Sequence, residues 1–134
     1  MGTVLVVIAL IVGTALLGAA LTRRRGHALP ASGAASDLVD ARAEVTILQL
    51  STPMCARCPG TARLARSVVG THPGSAHREV DLADRPDLAS RFRVSGTPTL
   101  LLVDGTGEVR QRIVGATTRA TLDAALDELL GVPA

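Results

Sequence analysis

The sequence predicts an α/β domain behind a single N-terminal transmembrane helix, and three observations predict it. Val4 to Leu21 is a run of eighteen residues without a charge. Beyond it, short β-branched apolar runs alternate with stretches whose apolar residues recur at helical spacing. Both cysteines lie two residues apart between one strand-like run and one helix-like run, in Ser51-Thr52-Pro53-Met54-Cys55-Ala56-Arg57-Cys58-Pro59.

A chain of 134 residues, 47% of them apolar, has room for one domain once the N-terminal run is set aside. The fourteen basic residues are all Arg, and Lys, Asn, Trp and Tyr are absent, which reads as genome bias. The net charge of +2 includes Arg23, Arg24 and Arg25; the remaining eleven Arg face twelve acids and leave −1. Nucleic acid is excluded as a partner, because no basic face exists and Phe92 is the one aromatic on which a base stacks.

Residues 3–22 are expected to be a transmembrane anchor, with residues 4–21 in the bilayer. As a helix those eighteen residues span about 27 Å, close to the thickness of a hydrocarbon core. A cleaved secretory signal or a twin-Arg signal places its positive charge ahead of the apolar run, whereas here the arginines follow it. Flanking Arg stays in the cytoplasm, so Arg23 to Arg25 predict a single-pass protein with its domain on the cytoplasmic side. Residues 23–36 read as a basic stop and a flexible linker, since Gly26 to Ser36 is rich in Ala, Gly, Ser and Pro. Residues 37–134 form the expected domain.

Asp37 to Ala43 is expected to make one or two helical turns. Val45 to Leu50 reads as a buried strand running into the cysteine motif. Behind it Leu64, Val68 and Val69 mark a helix that Gly70, His72 and Pro73-Gly74 end. Ala76 to Leu82 is a second strand, and Arg85 to Phe92 a short helix with Pro86 in its first turn, where a missing N–H costs little. Leu100 to Val103 is the most apolar strand; Asp104-Gly105-Thr106-Gly107 turns it back antiparallel onto Glu108 to Val114. A last helix runs from about Thr118 to Leu130, with Leu122, Ala125, Leu126, Leu129 and Leu130 on one face, Thr117 as N-cap and Gly131 as its stop.

The thiolate is the reactive form of cysteine, and a Cys at a helix N-terminus faces free backbone N–H groups and the positive end of the dipole. Thiol–disulfide exchange is therefore the leading chemistry. One competing motif exists: Cys55-x2-Cys58 followed by His72 and His77 fits the spacing of a two-Cys two-His zinc site. Its surroundings disagree, because a zinc finger places Cys on a hairpin and His on one helix face, and Pro73-Gly74 separates the two His here. No metal is expected, and His72, His77 and His27 read as solvated or linker residues. Two buried structural thiols would explain neither the spacing nor the helix start. Asp81 and Asp84 read as solvated strand-end charges, Arg110, Arg112 and Arg119 as a solvated face, and Phe92 as core.

Strand, Cys-x-x-Cys, helix, strand, helix, then Thr97-Pro98-Thr99 opening a hairpin, then a terminal helix: from Val45 to Leu130 this order resembles the thioredoxin-like superfamily. The resemblance implies a mixed sheet of four or five strands flanked by helices. It implies a cis Pro98 facing the cysteines and Thr97 offering its backbone to an extended substrate peptide. Gly115-Ala116 then resembles the third loop of the groove, and Met54 flanks the attacking Cys as part of the substrate surface. Cys55 becomes the attacking thiol and Cys58, one turn into the helix, the resolving thiol; their redox-active disulfide needs no other cofactor.

Two departures matter. The Trp before the first Cys is Met54 here, and the buried carboxylate six residues before it is Gln49, which accepts no proton. Arg57 acts in the other direction. Lowering a thiol pKa from about 8.5 to about 7 takes roughly 2 kcal/mol, within reach of a helix N-terminus and one guanidinium. The expected result is a reduction potential less negative than that of ordinary thioredoxin.

The sequence thus predicts a membrane-tethered thiol–disulfide oxidoreductase acting on protein disulfides or dithiols, fed by a thioredoxin reductase-type donor. Two other readings stand beside it: an exported envelope oxidoreductase of opposite topology, and a thioredoxin-fold binding module without turnover.

Overall fold

The computed structural model describes residues 1–23, 26 and 28–133. Arg24, Arg25 and His27, which the sequence assigns to the basic stop and linker, lie outside the described residues, as does Ala134. Helix α1 (Gly2–Arg23) carries its apolar side chains exposed, Val4, Leu5 and Ile8 among them, and is long and apolar enough to cross a membrane. Its one mid-helix hydroxyl, Thr14 Oγ1, donates back to Leu10 O or Ile11 O at 2.9 and 3.0 Å, so this donor is satisfied within the helix.

The strands β1 (Leu29–Pro30), β2 (Val45–Ser51), β3 (Ser75–Asp81), β4 (Thr99–Asp104) and β5 (Val109–Val114) form one sheet in the order β1-β5-β4-β2-β3. Only β2 and β3 pair in parallel, so the sheet is mixed. A parallel pair needs a crossover, and α2 (Cys58–Val69) supplies it. Both faces of the central strands are covered, which explains why Leu100 to Val103 is apolar at every position rather than at alternate ones. On one face Leu48, Leu50, Leu101 and Val103 pack with Leu88 of α3 (Pro86–Arg91) and Phe92. On the other, Ile47, Leu100, Leu102 and Ile113 meet Ala65 and Val68 of α2 and Leu122, Ala125 and Leu126 of α4 (Arg119–Leu130).

Three local expectations are corrected. The segment read as a flexible linker is docked on the domain: β1 pairs with β5, Ala34 bridges Glu108, and the N–H of Ala35 donates to Gly107 O at 2.7 Å. An edge strand offers unpaired backbone groups to any neighbour, and even a two-residue segment ending in Pro can use them. Asp37 to Ala43 makes turns and no helix, because Asp40 Oδ1 takes the N–H of Arg42 while Leu38 is drawn into the core. The cap of α4 is Thr118, one residue later than expected; its Oγ1 accepts the N–H of Thr121 at 3.2 Å, and Gly131 closes the helix at φ 69°.

Candidate active site

Chain direction places the site. β2 ends at Ser51, the next six residues turn, and α2 starts at Cys58, with the N–H of Cys55 on Thr52 O at 3.1 Å and that of Cys58 on Cys55 O at 3.2 Å. Cys58 is therefore the first residue of α2 rather than one turn inside it, and Cys55 sits in the turn before the helix. Arg57 holds the N-cap position without a side-chain cap, leaving the N-terminal end of α2 directed at the cysteines. The two sulfurs are closed as a disulfide. Cys55 is half-buried and Cys58 is 3% exposed, so an incoming reactant meets the Cys55 sulfur first.

Two other loops meet this turn. Thr97-Pro98 is cis, and Thr97 Oγ1 lies 3.2 Å from Thr52 Oγ1, joining the loop before β4 to the loop before α2. The N–H of Gly115 donates to Pro98 O at 2.8 Å, which brings in the loop after β5. Between them lies a groove lined by Arg57, Gly96, Thr97, Val114, Gly115 and Ala116. Of the residues expected at the site, Cys55, Cys58, Arg57, Thr97, Pro98, Gly115 and Ala116 are thus brought together. Met54 is beside the cysteines in the chain but 93% exposed, and lines neither this groove nor the cleft beyond the disulfide.

That second cleft was not foreseen. Cys55 and Cys58 share it with Ser51, Pro59 and three carboxylates, Glu79, Asp81 and Asp84. The last two, expected as plain solvated charges, border the reactive pair. Gln49 is fully buried behind it, its Nε2 3.0 Å from Cys58 O, 3.0 Å from Ser51 Oγ and 3.2 Å from Glu79 Oε1. Ser51 Oγ donates to the same Glu79 oxygen at 2.7 Å. Behind Gln49, its Oε1 accepts from His77 Nε2 at 3.1 Å, which fixes the proton on Nε2. Burial, then the charge of Arg66, pushes the His77 pKa below its ordinary value, with Glu79 partly opposing.

The competing metal motif loses its ligands to these contacts. His72, expected in solvent, is turned to α4, with Nδ1 2.9 Å from Val68 O and Nε2 3.2 Å from Asp127 Oδ1. His77 is spent on Gln49, and among the described residues no three His, Cys, Asp or Glu side chains are grouped to hold a metal ion. Arg112 also departs from the solvated face: it is half-buried, and its Nη2 donates to Phe92 O at 2.5 Å.

A mixed sheet ordered this way, with a Cys-x-x-Cys at the start of the crossover helix and a cis proline opposite, defines a thioredoxin-like protein. The sequence pattern of the thioredoxin-like domain family matches residues 37–130, and the chain belongs to that family. Thioredoxin M-type of Zea mays chloroplasts is 25% identical over 127 residues, spanning 86% of this chain and 75% of that protein. Among solved structures, a mutant thioredoxin from Halobacterium salinarum superposes with a TM-score of 0.60 at 20% identity, over 70% of this chain and 80% of that one. Mitochondrial thioredoxin 3 of Saccharomyces cerevisiae gives 0.58 at 18% identity, over 66% and 81%. The Cys55–Cys58 pair is thus of the thiol–disulfide oxidoreductase kind.

Proposed function

We propose that the chain is a membrane-tethered oxidoreductase that exchanges disulfides with partner proteins. The observation that carries this reading is the meeting of three loops around a disulfide whose outer sulfur, that of Cys55, is accessible. In the reducing direction the Cys55 thiolate attacks a substrate disulfide: a Cys55–substrate bond forms and the other substrate sulfur leaves with the electron pair. Cys58 then attacks the Cys55 sulfur, forming the Cys55–Cys58 bond and releasing the second substrate thiolate. The protein dithiol is oxidised and the substrate disulfide reduced, and a reductase-type donor returns the two electrons.

The resolving step needs an acceptor for the Cys58 proton. Gln49 occupies the position where the family's pattern has a carboxylate, and an amide cannot serve. We assign the role to Glu79, whose carboxylate enters the same cleft from β3 and is held there by Ser51 and Gln49. The released proton ends on the departing substrate thiolate or in solvent.

Arg23 to Arg25 support a cytoplasmic domain by charge bias alone. Protease added to intact cells leaves the domain uncut if that side is right and degrades it if the envelope reading is right.

Turnover tests the function. The full chain in detergent is expected to reduce a peptide disulfide catalytically and Cys55→Ser to lose at least about 100-fold, since no other thiol can replace the attacking one. Reductase activity that survives the substitution would come from a contaminant and favour a docking module without turnover.

A further inference from the structure

The linker was expected to let the domain wander, and the structure removes that freedom at its first described residue. Gly26 is buried, its N–H donates to Val114 O at 2.8 Å, and its own carbonyl accepts Thr117 Oγ1 at 2.7 Å. Its φ is 82°, and a Cβ there would run into Ala116 O, so glycine is required by both backbone and space. Val114 and Ala116 line the substrate groove. The chain leaving the membrane helix is therefore fastened to the wall of the groove.

Covalent geometry then bounds the height of the site. α1 ends at Arg23 and Gly26 is three residues on. Three Cα steps of 3.8 Å place Gly26 at most about 11 Å from the end of the helix, whatever path is taken. A free linker of the eleven residues from Gly26 to Ser36 would have added a reach of roughly 18 Å on average and about 36 Å at full extension. Backbone bonds donated by Gly26, Ala31 and Ala35 to β5 and the turn before it, and one accepted by Gly33 O from the N–H of Val109, cancel that reach.

We infer that the groove works at the bilayer surface, and that its substrates are disulfides or dithiols in the juxtamembrane segments of membrane-anchored partners. This rests on the exchange activity proposed above and on α1 spanning the bilayer. The pinned Gly26 sets the working height; Thr117, which holds Gly26, is a positioning residue.

The test uses the full chain in lipid vesicles and one peptide disulfide in three forms: free, linked to a lipid headgroup by a spacer of about 10 Å, and linked by one of about 60 Å. Any membrane-bound pair gains effective concentration, so the discriminating quantity is the short-to-long rate ratio, before and after inserting twelve Gly and Ser residues between Arg25 and Gly26. Short-spacer substrate is expected to react about fivefold faster than long-spacer substrate with the native chain. The insertion should bring the ratio to about one while the free peptide reacts at the native rate, and Gly26→Val, which unseats the residue, should lower the ratio in the same direction. A native ratio near one, or a ratio unmoved by the insertion, overturns the inference with the exchange activity intact. Failure to reduce even the free peptide removes the exchange reading and this inference with it.

Discussion

The two hollows at the cysteine turn differ in charge. The groove carries Arg57 among neutral backbone and small side chains, while the cleft lined by Cys55 and Cys58 carries Glu79, Asp81 and Asp84. A cation favours a thiolate and a carboxylate favours a thiol and can take its proton. The proposed roles, Cys55 in attack and Cys58 in resolution, draw on this difference, with the charges coming from separate elements. It also revises the basis of the expected potential: Arg57 does not act alone, and the carboxylates pull against it.

Variants break this comparison in order of effect. Cys58→Ser removes the resolving thiol; steady-state turnover of a peptide disulfide should fall at least about 100-fold while Cys55 still forms a mixed disulfide. Glu79→Gln keeps the hydrogen-bond acceptor but not the proton acceptor. Single-turnover resolution should slow roughly tenfold near neutral pH, with the loss shrinking as pH rises and the thiol ionises into water, and Gln49→Glu should restore it. A loss equal at every pH would make Glu79 structural only.

Charge reversal on the groove side is gentler. Arg57→Glu should raise the Cys55 pKa by about one unit and shift the potential by roughly 30 mV to more negative values, read by glutathione titration. Asp84→Asn should move the potential the other way by less. The smallest effect concerns His77. Its folded pKa lies below the unfolded value, so unfolding takes up a proton once the pH falls below about 6.5, and stability declines from there down to the folded pKa. Thermal melts between pH 7 and 5 should show that decline in the native chain and a shallower one in His77→Gln.

What could be read from the sequence was local. The strand, Cys-x-x-Cys and helix are written in a contiguous pattern, as is the hairpin around Asp104-Gly105-Thr106-Gly107, and all of them form. What escaped depends on pairing across the chain. Glu79 enters the cleft that the cysteines line only because β3 runs parallel to β2 with Glu79 opposite Gln49. An acid in the second strand, at the register of a buried amide, was the available signal. Gly26 to Ser36 misled because small residues and Pro describe a free linker and a strand at a sheet edge equally well, and only the partner strand decides. His72 misled similarly: a His just past a helix end reads as solvated, while its contacts lie on α2 and α4.

Trapping in cells tests the central claim most directly. The full-length Cys58→Ser chain, isolated after thiols are blocked, is predicted to carry partner proteins in reducible adducts that map to Cys55 and vanish in the double Cys55→Ser, Cys58→Ser chain. An absence of adducts at Cys55 from a folded, membrane-inserted protein would contradict it.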